Sequence, residues 1–130
     1  MFCVDPWAPW PGSRSTQVLC DRRFRRARQK LAGFDVTYLR KTSMEALADV
    51  PDGSLDFVYI DAIHQFDHVM MDLIGWNKKV RSGGLVSGHD YCLLHDCGVM
   101  PAVNAFTWAH DIKHWYVTNE FLASFFWVRP

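Results

Sequence analysis

The sequence has no net charge, since fourteen Lys and Arg balance fourteen Asp and Glu over 130 residues. That balance argues against nucleic acid or an anionic membrane as the main partner, because both select a basic excess. No apolar run approaches the ~18 residues of a membrane span. Met1 is followed by neither the basic nor the apolar stretch of a secretory signal, so the expected location is cytoplasmic. Cysteine is sparse: Cys3, Cys20, Cys92 and Cys97 form no Cys-x-x-Cys pair and no regular spacing, and they read as reduced thiols. There is no internal repeat and no low-complexity tract. What remains is one domain's length of chain, 49% hydrophobic, with six Trp and nine Phe to fill a core.

Two apolar runs stand out. One reads Leu55-Asp56-Phe57-Val58-Tyr59-Ile60 and the other Leu85-Val86-Ser87-Gly88. Unbroken rather than alternating apolar residues mark strands buried on both faces, as in a parallel sheet. Each run stops at polar groups: Asp61 and His64 after the first, His89 and Asp90 after the second. Open α/β sheets bind ligands at the carboxyl ends of their strands. Two neighbouring strands therefore deliver two carboxylates and two imidazoles to one place.

The rest of the chain supplies the frame. Residues 1–5 read as a strand and residues 6–15 as a Pro/Gly/Trp loop. Ser15 or Thr16 caps a helix to about Ala32, with Cys20, Phe24, Ala27 and Leu31 on its inner face, and Gly33 ends it. A short strand covers residues 36–39, and Ser43 caps a helical turn. Phe66, Val69, Met70, Leu73, Trp76 and Val80 line the helix after the first apolar run. Ser82-Gly83-Gly84 turns into the second run. A Cys/His-rich loop, a helix near residues 99–109 and two final strands complete the chain. The fold class is α/β, with strands and helices alternating and an antiparallel last pair, because five residues are too few for a parallel crossover.

This order, with the acids and histidines at the strand ends, resembles the class I S-adenosylmethionine-dependent methyltransferases. Within them it is most similar to the divalent-metal-dependent O-methyltransferases. The resemblance implies a mostly parallel, Rossmann-like sheet, here of six strands within a single domain over residues 1–130. It implies that Asp61, His89 and Asp90 hold a metal such as Mg or Mn, and that His64 is the general base. Asp5, in Cys3-Val4-Asp5-Pro6-Trp7, takes the place of the acid that holds the ribose hydroxyls of S-adenosylmethionine. Ser43 and Met44 take the place of the adenine neighbours. The family's first strand and Gly-rich loop have no counterpart. The expectation is a truncated methyltransferase domain that, as this chain alone, binds S-adenosylmethionine weakly or not at all.

The implied partner is a small-molecule methyl acceptor. The alternatives are a non-catalytic fragment or interaction module that keeps only the fold, and a small zinc-binding protein built on His89, Cys92, His95 and Cys97, whose spacing matches no established zinc motif. Asp61 and Asp90 are equally read as caps of the turns that follow them. The nine basic residues between Arg14 and Lys41 read as the solvated face of a helix. With the missing elements absent, one face of the sheet is expected to be bare. The first strand is expected to pair directly with residues 55–60, and two copies to pack their bare faces into a homodimer.

Overall fold

The computed structural model describes residues 1–10 and 13–130, so Pro11 and Gly12 of the expected loop lie outside the described residues. The chain divides into two compact units, Met1–Ala46 and Leu47–Pro130.

The first unit is built on two short parallel strands, β1 (Phe2–Val4) and β2 (Thr37–Leu39), joined through helix α1 (Gln17–Lys30). Thr16 caps α1, its hydroxyl accepting the N–H of Leu19 at 3.3 Å. Arg28 and Lys30 in the last turn suit the negative end of the helix dipole. The helix stops at Lys30, three residues before Gly33. Cys20 is buried on the inner face, and Phe24 packs on Trp7 with ring centroids 4.6 Å apart and on Tyr38 at 5.7 Å. The Arg40 guanidinium lies 4.8 Å over the Phe24 ring and 3.1 Å from Asp21. Helix α2 (Ser43–Ala46) is capped by Thr42, not by Ser43. The Thr42 hydroxyl accepts the Glu45 N–H, and the Glu45 carboxylate accepts the Thr42 N–H at 2.9 Å. This reciprocal pair is a capping box.

The second unit contains a four-stranded sheet in the order β3-β4-β6-β5. Strand β3 (Leu55–Ile60) runs parallel to β4 (Val80–Tyr91), and helix α3 (Phe66–Lys79) joins them. Helix α4 (Val99–Ala109) leads to β5 (Trp115–Val117) and β6 (Ala123–Val128), which pair antiparallel with each other, β6 also pairing antiparallel with β4. The expected antiparallel ending is thus present. The expected direct pairing of the first strand with β3 is not found among the described residues, where β1 pairs with β2 and β3 with β4. Both parallel pairs join consecutive strands through a single helix, the connection with the shortest loop to close.

Strand β4 is three times the expected length. Its ladder to β3 jumps from Leu55↔Val80 to Phe57↔Leu85, so the Ser82-Gly83-Gly84 turn is absorbed as a bulge. Gly83, at φ 75°, takes the left-handed conformation this needs. The Gly83 N–H donates to the Arg129 carbonyl, and the Arg129 guanidinium donates to the Val80 carbonyl.

The register sorts the side chains onto two faces. Val86, Phe125 and Trp127 lie fully buried with Leu73 of α3 and Phe106 of α4, and the Phe106 and Trp127 rings stack at 5.6 Å. The opposite face carries Phe57, Tyr59, Tyr116 and Val128, exposed by 51, 46, 56 and 58%. Strand β3 is therefore covered on one face only, despite its largely apolar sequence. Trp7 and Trp127 fill core positions, whereas Trp10 and Trp108 are exposed.

Candidate active site

The carboxyl end of β3 and the end of β4 lie side by side, because Ile60 pairs with Gly88 at the last rung of the parallel ladder. Asp61 and His64 follow β3 in the short segment before α3. His89 and Asp90 lie within the last residues of β4 rather than beyond it, since the strand continues to Tyr91. The pairing of β4 with β6 shifts between Gly88 and Tyr91, and Asp90 takes a left-handed backbone at φ 59°. For a non-glycine residue that conformation costs on the order of 1–3 kcal/mol, which the surrounding structure must offset. The kink turns the Asp90 carboxylate toward His64.

His64 Nε2 lies 3.0 Å from Asp90 Oδ2 and 3.7 Å from Asp61 Oδ1. His89 Nδ1 lies 3.2 Å from the other Asp90 oxygen. Asp90 thus bridges two imidazoles. Its side chain is only 13% exposed, against 53% for Asp61 and 44% for His64, so the Asp90–His64 contact is the less screened of the two. Asp61, His64 and Asp90 each present one ligand atom, all within 4.8 Å of one another. They are the one such group of three among the described residues. His89 stands outside it, held against Asp90. Two carboxylate oxygens and one imidazole nitrogen suit a hard or borderline divalent cation. Asp61, His64 and His89 line a small cavity together with Ile60, Val69, Val99 and Phe125.

A loop from Cys92 to Gly98 braces this end of the sheet. The Gly98 N–H donates to the His64 carbonyl at 2.6 Å, and the Cys97 thiol donates to the Asp90 carbonyl at 3.4 Å. Gly98 approaches the start of α3 so closely that a Cβ there would lie 2.2 Å from the Phe66 nitrogen. Sequence reasoning missed Gly98. Its one local signal is its position just before the α4 periodicity, and the contact joins segments more than thirty residues apart. Burial pushes the Cys92 thiol above its ordinary pKa, reinforced by the neighbouring Cys97. His89, Cys92, His95 and Cys97 do not gather as metal ligands among the described residues, where the His95 ring lies against Asp96 instead.

Asp5, Ser43 and Met44 all belong to the first unit. Asp5 follows β1 and extends its ladder, donating its N–H to the Leu39 carbonyl at 3.2 Å. One of its carboxylate oxygens accepts the Trp7 N–H at 2.5 Å, and the side chain is otherwise open to solvent. Ser43 and Met44 open α2, just beyond the carboxyl end of β2. All three therefore follow the carboxyl ends of two adjacent parallel strands. Trp7 does not face a ligand; its ring is buried against Phe24 and Tyr38.

Comparison with known proteins identifies the family and the fold. A family model described as a methyltransferase domain matches residues 1–91. An uncharacterized protein of Sinorhizobium fredii, y4gI, is 38% identical over 52 residues, which are 40% of this chain and 6% of that protein. Among solved structures, the O-methyltransferase NovP superposes with a TM-score of 0.69 at 19% identity, over 99% of this chain and 59% of that one. A protein from Corynebacterium glutamicum gives 0.65 at 14% identity, over 99% and 60%. Spermidine synthase from Thermotoga maritima gives 0.56 at 13% identity, over 87% and 41%. The chain thus spans at most about 60% of the length of these structures. It belongs to the methyltransferase-domain family, and its α/β fold is that of the class I S-adenosylmethionine-dependent methyltransferases.

Proposed function

We propose that this methyltransferase-family chain serves transfer of a methyl group from S-adenosylmethionine to a hydroxyl of a small-molecule acceptor, with His64 as the general base. The observation that carries the reading is the Asp90–His64 contact at 3.0 Å, with Asp61 on the same imidazole nitrogen. When bound, S-adenosylmethionine supplies an electrophilic methyl on a sulfonium. His64 supplies the complementary step. Its Nε2 faces two carboxylates, so a proton there is held, and Nδ1 is the nitrogen left to accept the acceptor's proton. The imidazolium that forms is stabilised by Asp90 and Asp61, as a carboxylate stabilises the histidine of a catalytic triad.

The cofactor's ribose would meet Asp5, whose free carboxylate oxygen matches a pair of hydroxyl donors, and its adenine would lie by Ser43 and Met44.

A second reading is favoured by the 4.8 Å grouping of Asp61, His64 and Asp90, which fits a divalent cation of the Mg or Mn class. Such an ion supplies Lewis acidity that lowers the acceptor hydroxyl's pKa. Nε2 cannot both ligate an ion and keep a proton, so the two readings assign His64 opposite roles. Calorimetric titration with Mn²⁺ separates them: binding that Asp90→Asn weakens at least tenfold supports the metal centre, and no binding leaves His64 as base. Transfer of labelled methyl to hydroxyl acceptors, at high S-adenosylmethionine, tests the activity itself. His64→Ala should abolish transfer without changing cofactor binding, and transfer undiminished by that substitution rejects the proposal.

Self-association belongs to the same proposal. The face bearing Phe57, Tyr59, Tyr116 and Val128 is a contiguous apolar surface of the kind soluble proteins seldom leave uncovered, and a second copy placed by two-fold symmetry covers both faces at once. Light scattering at tens of micromolar should report a dimer, and Phe57→Asp should return it to monomer.

A further inference from the structure

Cys92 and Cys97 lie at the two ends of the loop that braces the candidate site, and the fold brings their sulfurs to 3.9 Å. A tight turn does this: the Cys97 N–H donates to the Leu94 carbonyl at 3.1 Å, with Asp96 in the left-handed conformation at φ 64°. Cys92 is buried and Cys97 half-buried, so one thiol is sheltered and the other is reachable from solvent. Cys3 and Cys20 belong to the first unit and to other elements. We propose that Cys92 and Cys97 are a redox-active dithiol that closes to an intramolecular disulfide and thereby resets the loop holding His64 and Asp90.

The chemistry needs a two-electron oxidant of the disulfide class, such as glutathione disulfide. Cys97, the reachable sulfur, attacks one glutathione sulfur, forms a mixed disulfide and releases one glutathione. Cys92 then attacks the Cys97 sulfur and expels the second glutathione. Two S–H bonds and one S–S bond break, one S–S bond and two S–H bonds form, and the two electrons reside on the two released glutathiones. Closure shortens the sulfur separation from 3.9 Å to about 2.05 Å, the length of an S–S bond. It also has a defined cost to the site. The Cys97 S–H that donates to the Asp90 carbonyl no longer exists in the disulfide, and Gly98, bonded to the His64 carbonyl, is the next residue along the chain. Oxidation is therefore felt at both members of the Asp90–His64 pair.

The test begins with trypsin, because no Lys or Arg lies between Arg81 and Lys113, so Cys92 and Cys97 share one peptide and Cys3 and Cys20 fall in others. The folded chain is equilibrated with mixtures of reduced and oxidised glutathione, quenched with acid, alkylated under denaturing conditions and mass-analysed. The expected result is a residue 82–113 peptide lighter by two hydrogens and unalkylated, reversed by dithiothreitol and absent in Cys92→Ser and Cys97→Ser. A stable single glutathione adduct on that peptide, or two alkylated thiols in excess oxidised glutathione, overturns the dithiol. The second readout is the amide resonances of His64 and Gly98 in the oxidised and reduced chain. Both should shift, and the Cys92→Ser chain should show no shift under the same treatment. A disulfide that forms while both resonances stay fixed overturns the link to the site.

Discussion

The two units solve the problem of stability by opposite means. Among the described residues, Met1–Ala46 buries three apolar side chains, Trp7, Cys20 and Ala46, whereas Leu47–Pro130 buries sixteen. The first unit holds nine basic and four acidic residues, the second five basic and ten acidic. A zero net charge thus conceals two oppositely charged regions. The first unit relies on local devices: a Thr16 cap, a Thr42–Glu45 capping box, and an aromatic triad roofed by Arg40. The second relies on two helices packed over one face of a sheet. The proposed catalytic residues Asp61, His64 and Asp90 belong to the well-packed unit, and the proposed cofactor residues Asp5, Ser43 and Met44 to the sparsely packed one. Regions with few buried apolar contacts open first, and binding segments are drawn from them.

The largest effect that tests this contrast is core truncation. Trp127 is fully buried in the second unit, and Trp127→Ala should cost about 3–5 kcal/mol in urea unfolding. Trp7→Ala should instead speed amide exchange in β1, α1 and β2 and leave β4 and β6 protected. Equal loss of protection in both units would show that they unfold as one, and the contrast would fail.

Gly98→Ala comes next. Its Cβ would sit 2.2 Å from the Phe66 nitrogen, so the loop must move off the start of α3 and release the His64 carbonyl. Overpacking of this kind costs roughly 1–3 kcal/mol. The His64 resonances should broaden or shift, and an unchanged spectrum would show that the loop does not brace the site. A smaller effect, about 1 kcal/mol, is expected of Thr16→Ala, which removes the α1 cap. Thermal unfolding followed through α1 amide exchange should show it, with α3 unaffected.

Local signals were legible in the sequence and distant ones were not. The bounds of β3 and the inner face of α3 follow from the run 55–60 and from Val69, Leu73 and Trp76, because period and burial act within one element. The meeting of Asp61, His64 and Asp90 was legible because adjacent parallel strands carry their ends to one rim. The length of β4 was not, since Ser82-Gly83-Gly84 satisfies a turn and a bulge equally well. That β1 pairs with β2 rather than with β3 was also hidden, because hydrogen-bond partners along an edge leave no residue signature. The Asp90 kink, the Gly98 contact and the Cys92–Cys97 approach depend on loop conformation that no periodicity encodes. Even the distinction between His64 and His89 needed coordinates, because spacing alone puts both near Asp90.

The smallest effect separates the two units by the origin of their depressed carboxyl pKa values. In the first unit the Thr42 hydroxyl, and then its N–H, hold Glu45 below the ordinary carboxylate range. In the second, Asp52 is lowered by its hydrogen bond to the Lys79 ammonium and by that ammonium's charge, at 2.6 Å. A carboxyl whose folded pKa lies below its unfolded value stabilises the fold above the unfolded pKa, and that contribution is lost as pH falls through the folded one. Both groups therefore contribute in neutral solution and stop contributing in the acid range. Salt distinguishes them. Screening acts on the charge of Lys79 but hardly on a neutral hydroxyl or a backbone N–H, and at 1 M salt the screening length shrinks to about 3 Å. Carboxyl carbon shifts followed from neutral to acid pH should show Asp52 titrating closer to its ordinary value in 1 M salt, with the screening length near 3 Å, while Glu45 stays low. Equal movement of the two would mean that the excess positive charge of the first unit, rather than the capping box, holds Glu45 down. The description of that unit as locally held would then give way to one in which its nine basic residues act as a field.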